Sequence, residues 1–292
     1  MAQATSAKAI ARWPFLGPSV ALLLVWMVVP LAMTIWFSFQ RYKLLQPETY
    51  GFNGLNNFKF LINNPNLPLI LWNTIFLVGA VLVITTVLGV LFAVLFDQNF
   101  PGRNIARLLV IAPFFVMPTV SALIWKNLLM HPVNGLFAFI GNWTGLGVID
   151  WFNNYPLAGI IMIVSWQWIP FAALILLTAI QSLPRDLIEA ARMDGANGPR
   201  IFFHITLPHL GRAIAVVVMI ETIFILQIFA EILVTTNGGP GQASMNLPFF
   251  VYMKGLLEFD IGGASAAGLF AVLIANIVAI FLIRTIGRTM RE

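Results

Sequence analysis

Two carboxylates, Glu221 and Glu231, stand in or beside an apolar stretch long enough to span a bilayer. A charged side chain at membrane depth costs about 2.5–3.5 kcal/mol on insertion scales, so it marks a solute pathway or a paired structural site. Both readings stay open for Glu221. At about 100° per residue, their spacing sets the two carboxylates roughly 80° apart around a helix. Phe224, Gln227 and Glu231 follow i, i+3, i+7 spacing and align on one stripe. An aromatic face beside hydrogen-bonding groups suits a polyhydroxy solute, whose hydroxyls are costly to bury unpaired. Trp166, Gln167 and Trp168, after Ser165 and before Pro170, offer the same chemistry on another apolar stretch. Tryptophan also serves membrane interfaces and cores, which is the structural alternative. Asn73 and Asn276 read as interhelical hydrogen bonds. His204 and His209 flank Pro208 without enough neighbouring ligands for a metal, so they read as solvated loop residues. No H-E-x-x-H and no nucleophile–base spacing occurs, which disfavours a membrane-embedded hydrolase.

The elements that must hold these residues follow from composition. The chain has 292 residues, 60% hydrophobic and 9% charged, with mean hydropathy +0.90. Soluble domains carry roughly 25% charged residues. So few charges cannot coat a water-facing surface, and most of the surface must meet lipid or protein. The net charge of +5 falls mostly beside apolar runs, so topology explains it better than nucleic acid does. There is no cysteine, which excludes disulfides and thiolate metal sites.

Six segments have the ~20 apolar residues a spanning helix needs. They are Phe15–Phe39, Leu69–Phe96, Ile105–Met130, Leu157–Ile180, Ala213–Val234 and Ala264–Ile286. The first follows Lys8 and Arg12, like a signal peptide, but is far longer than a cleavable core of ~7–15 residues, so a retained helix is expected. Polar segments such as Asn53–Asn66 and Asn237–Gly241 read as loops. Placing both termini in the cytoplasm puts 11 of the 16 Lys and Arg inside and 5 outside, as the positive-inside rule requires. Pro18, Pro30, Pro113, Pro118 and Pro170 lie within spans, where each removes a donor and tends to kink its helix.

The segment between spans four and five carries the densest local signals. Pro184 suits a first helical turn and Gly195 suits a helix stop. Leu187, Ala190, Ala191 and Asp194 share one face between them. Asn197 or Gly198 can cap a second short helix, with Pro199 near its start and Leu207-Pro208 ending it before span five. The resulting helix–turn–helix carries Arg185, Asp186, Glu189, Arg192, Asp194 and Arg200 beside Ile201, Phe202 and Phe203. Two uses fit this mixture: a docking surface for another chain, or an amphipathic loop on lipid headgroups.

The same segment resembles the inner-membrane permeases of binding-protein-dependent ABC importers. Their pattern is E-A-A, three residues, G, nine residues, I-x-L-P. Here Glu189-Ala190-Ala191 leads to Gly195, and Ile205-Thr206-Leu207-Pro208 follows at that spacing. The resemblance implies an all-α membrane protein of six transmembrane helices with the type I ABC importer permease (MetI-like) fold. It also implies that Glu189, Ala190, Ala191, Arg192, Asp194, Gly195 and Pro208 belong to a coupling loop, 184–208, that docks on an ATPase subunit. Residues 1–68 would hold the N-terminus, first span and periplasmic loop, 69–286 the permease core, and 287–292 a cytoplasmic tail. The implied partners are a second similar permease, two ATPase subunits and a periplasmic solute-binding protein, in the bacterial inner membrane. The run from Thr235 to Gly241, the stretches Leu247–Tyr252 and Gly262–Ala266, and above all Phe229-Ala230-Glu231-Ile232 resemble carbohydrate permeases, most closely those of the mannitol/sorbitol type. No G-x-x-x-x-G-K-[ST] phosphate loop occurs, so ATP and magnesium are expected in the partner ATPase and no cofactor in this chain. The rival reading is a secondary transporter driven by an ion gradient, with Glu221 or Glu231 as its ion-coupled carboxylate.

Overall fold

Runs of apolar residues with few breakers build long helices, and prolines decide where they bend. The computed structural model describes residues 13–289. Lys8, Arg12 and Arg291 of the charge argument lie outside the described residues. Contacts group the chain into two units, one of residues 1–64 with 251–271 and one of 65–250 with 272–292.

In the first unit, α1 (Trp13–Ser38) carries Pro18 and Pro30 without interruption. Its described side chains are almost all exposed, as an apolar span surrounded by lipid or another subunit requires. A two-stranded antiparallel ribbon follows, β1 (Gln40–Arg41) on β2 (Gly51–Phe52). The segment 53–66, expected as loop, contains α2 (Asn56–Ile62). Its asparagines act as bolts. Asn57 is buried, and its Nδ2 donates to Ser38 O and Gln40 O, both at 2.8 Å, while its Oδ1 accepts from Asn53. Asn-rich sequence read as loop because these partners lie 17 and 19 residues away.

In the second unit, α3 (Leu67–Asp97) packs along α8 (Pro156–Gln181). A Cβ on Gly89 would stand 2.7 Å from Ala172 Cβ, so glycine is what lets the two helices approach there. Val90, Ala93, Phe96, Ala172, Leu176, Leu177, Ile180, Leu210 and Val217 form the buried core around that contact. Pro170 sits inside α8 without breaking it.

The third expected span is a bent pair. α4 (Arg103–Ile111) and a 3-10 turn (Ala112–Phe115) meet α5 (Pro118–Ile124) and a π turn (Trp125–Leu129) at 108°. Pro118 excludes the α conformation from the residue before it. Met117 is extended accordingly, with ψ 139°, and Val116 before it is extended too, with ψ 130°. The sequence suggested a kink; two prolines five residues apart make a break. Short helices α6 (Leu136–Thr144) and α7 (Trp151–Asn154) lead into α8.

The fifth span also differs from expectation. After α9 (Arg185–Met193), α10 (Gly198–Ile201) runs through a π turn (Phe202–Thr206) into α11 (Leu207–Ile225). Leu207-Pro208 therefore does not end a separate helix. The amide of Leu207 bonds Phe202 O, five residues back, and that wider turn accommodates a proline that has no donor of its own. The helix stops at Ile225, and a second short helix, α12 (Ala230–Thr235), follows four residues later. Beyond it come α13 (Leu247–Tyr252), a π turn (Met253–Leu257) and α14 (Ile261–Thr289). Residues 287–289 of the expected tail are thus helical, and 290–292 lie outside the described residues. Among the described residues five helices are long and apolar enough to cross a membrane, and the bent pair makes six.

Candidate functional site

The surface helix α9 is built as its sequence dictates. Pro184 stands at its N-cap, and the chain leaves it through Asp194 and Gly195. Gly195 has φ +81°, the left-handed conformation that a Cβ disfavours. That turn lets Asp194 N donate to Ala190 O (3.0 Å), Gly195 N to Arg192 O (3.0 Å) and Ala196 N to Ala191 O (2.9 Å). Asn197 then caps the next helix, its Oδ1 accepting from Arg200 N at 3.1 Å. Glu189, Ala190, Arg192 and Asp194 are exposed and Ala191 half-buried, and no residue of α9 is buried. Met193 is 89% exposed, and Leu187 and Phe203 are exposed as well. Pro208 is exposed at the start of α11. His209 Nε2 pairs with Ala179 O, His204 Nδ1 with Arg200 O, and no group of metal ligands occurs among the described residues.

Gly195→Ala should strain this turn by about 1 kcal/mol, the usual cost of a left-handed non-glycine residue. The expected result is roughly five-fold faster hydrogen exchange at the Ala196 amide, with the buried α3 and α8 amides unchanged. Equal exchange at Ala196 would show that the turn tolerates a Cβ.

The expected stripe on span five does not survive the break after Ile225. Phe224 is 54% exposed and Gln227 is exposed, whereas Glu231 is 4% exposed. The i, i+3, i+7 alignment holds only along one continuous helix, and residues 226–229 leave it. Gln227 N donates to Phe224 O (3.1 Å) and Ile228 N to Ile225 O (3.2 Å), tightening the last turn. Asn246 Nδ2 takes the freed Ile228 O at 2.6 Å. For the same reason the 80° offset between Glu221 and Glu231 has no meaning across this break.

Glu221 is 0% exposed and meets α3, where Thr85 Oγ1 donates to its Oε2 at 2.5 Å. Its Oε1 has no partner among the described residues. Gln167 is buried, and its Nε2 donates to Val116 O (2.9 Å), satisfying a carbonyl orphaned at the bend of the third span. Trp166 meets Trp125 edge to face (5.8 Å between centroids), and Trp168 meets Phe224 (5.3 Å). Trp168 also contacts Phe114 and Phe171, so four rings from three elements form one aromatic ledge. Asn73 donates to Gln242 O and Met245 O, in a turn rather than a helix, and Asn276 bonds Val272 O of its own helix. Neither makes the interhelical bond expected of it.

Residues 85–292 match the family described as "Binding-protein-dependent transport system inner membrane component". The chain belongs to this family. Among relatives of this inner membrane component, the trehalose/maltose transport system permease protein MalF of Thermococcus litoralis is 32% identical over 94% of this chain and 92% of its own. The alpha-glucoside transport system permease protein AglF of Rhizobium meliloti is 31% identical over 98% and 84%. A solved chain from a bacterial ABC transporter involved in the import of the acidic polysaccharide alginate superposes with TM-score 0.80 at 23% identity, covering 97% of this chain and 99% of that one. The inner membrane component is therefore an all-α, multi-pass membrane protein with the type I (MetI-like) permease fold.

The sequence did not single out Thr85, Phe114 or Phe171 of this inner membrane component. Lys126, counted only as a charge, donates from Nζ to Val234 O and Thr235 O. These pairings join residues 54–136 positions apart, and a single sequence shows no periodicity over such distances.

Proposed function

We propose that this chain is the permease subunit of an ATP-driven importer that carries a sugar or sugar alcohol across the bacterial inner membrane, with both termini in the cytoplasm. It works with a second similar permease, two ATPase subunits that hold ATP and magnesium, and a periplasmic solute-binding protein. The observation that carries the reading is the exposed helix α9. It bears the Glu189-Ala190-Ala191 start of the pattern, mixes charge with bare Leu187 and Met193, and stands at the foot of the long helix beginning at Gly198. Exposed apolar side chains set among charges suit a protein partner. ATP binding draws the ATPases together and moves α9, and the helix bundle turns outward to receive solute from the binding protein. The carbohydrate cargo is supported by the names of the relatives, and the aromatic ledge around Trp168 and Phe224 suits stacking on sugar C–H faces. The polyol preference rests on Phe229-Ala230-Glu231-Ile232 alone.

Purification from a membrane extract tests it. The complex should carry an ATPase chain that crosslinks to the Met193→Cys variant, and its uptake in vesicles should need ATP. Uptake that follows a proton or sodium gradient without ATP would establish the rival instead.

A further inference from the structure

Lys126 sits in the π turn at the end of the bent third span. Its Nζ donates to Val234 O at 2.9 Å and Thr235 O at 2.8 Å, more than a hundred residues away. Both are closing carbonyls of α12, among the last four that an α-helix leaves unsatisfied within itself. An ammonium there supplies donors and opposes the negative end of the helix dipole.

That helix needs outside support. It is six residues long, follows the break at 226–229, and begins at Phe229 with φ −150° and no side-chain cap. So short a helix does not sustain itself. It also carries buried Glu231. We propose that Lys126 is a positioning residue for transport: it bolts α12 to the bent third span, so that Glu231 and the interrupted fifth span keep one geometry while solute passes. This rests on the proposed permease function and on the expectation that Glu231 lines the solute pathway.

The test uses the complete importer in proteoliposomes with its binding protein. From radiolabelled maltose, trehalose, sorbitol and mannitol, the compound moved fastest by the natural protein serves as probe. Lys126→Met keeps the length of the side chain and removes the donors; Lys126→Arg keeps them. The expected result for Lys126→Met is about ten-fold less solute moved per ATP hydrolysed, the order set by losing charge-assisted bonds. Stimulation of ATP hydrolysis by the binding protein should persist. Amides of 230–237 should exchange about five-fold faster, and Lys126→Arg should restore both readouts. Unchanged exchange, or faster exchange with unchanged solute per ATP, would overturn the proposal. If Lys126→Met fails while Glu231→Gln transports normally, the bolt stands and Glu231 leaves the solute reading.

Discussion

Replacing Glu189 with alanine is expected to cut solute uptake roughly 30-fold, the loss of an interface hot spot, without moving the thermal denaturation midpoint of the isolated permease. The two halves of that expectation have separate grounds. Glu189 is exposed on α9, and no residue of that helix is buried, so truncation removes no core contact. Surface changes of this kind stay within about 0.5 kcal/mol. A large loss of transport must then arise outside the chain, where α9 meets its proposed ATPase partner. Solute affinity of the free binding protein should be untouched, while its stimulation of ATP hydrolysis should vanish. Full uptake by this variant would remove α9 from energy transfer.

The second large effect concerns the buried contact between α3 and α11. Thr85→Val keeps the shape of the side chain but deletes the donor to Glu221 Oε2. Since Glu221 Oε1 already lacks a partner, both oxygens would be stranded in a fully buried position. Stranding a buried polar group costs about 1–3 kcal/mol, and more for a charged one. The detergent-solubilised complex should denature several degrees lower. Glu221→Gln retains an acceptor for Thr85 and should keep both stability and ATP-driven uptake within about two-fold, a difference of under 0.5 kcal/mol. Abolished transport in a well-folded Glu221→Gln protein would instead return this carboxylate to the ion-coupled role of the rival reading.

The sequence was most readable where the cause is local. Pro184 and Gly195 bound α9 because the physics of helix ends acts within one turn, and the apolar runs located the first, second, fourth and sixth spans to within about a turn. It was least readable where distant partners decide. Pro118 announced a bend, but at the full break Val116 O is met by a donor, Gln167 Nε2, 51 positions from Val116. Nothing in Leu226-Gln227-Ile228-Phe229 marks a helix break, since none is glycine or proline. Asn246 makes that break tolerable by bonding Ile228 O. Once the helix is interrupted, Glu231 turns inward and parts from Phe224 and Gln227, which undoes a pattern derived from unbroken periodicity. The Asn-rich stretch near α2 misled in the opposite sense, because asparagine serves loops and long-range bolts alike.

The continuity of Gly198–Ile225 has a mechanical meaning. Its 28 residues make a rod of about 42 Å at 1.5 Å per residue. One end adjoins α9 and the other stops beside Phe224, with no joint between them except the π turn before Pro208. Rocking such a rod by about 5° around its foot would sweep its tip by roughly 4 Å, close to the thickness of a sugar ring. On the proposed reading, a modest tug at the base would be geared up into a larger stroke at the tip, and stiffness near Pro208 would set how much of it is delivered.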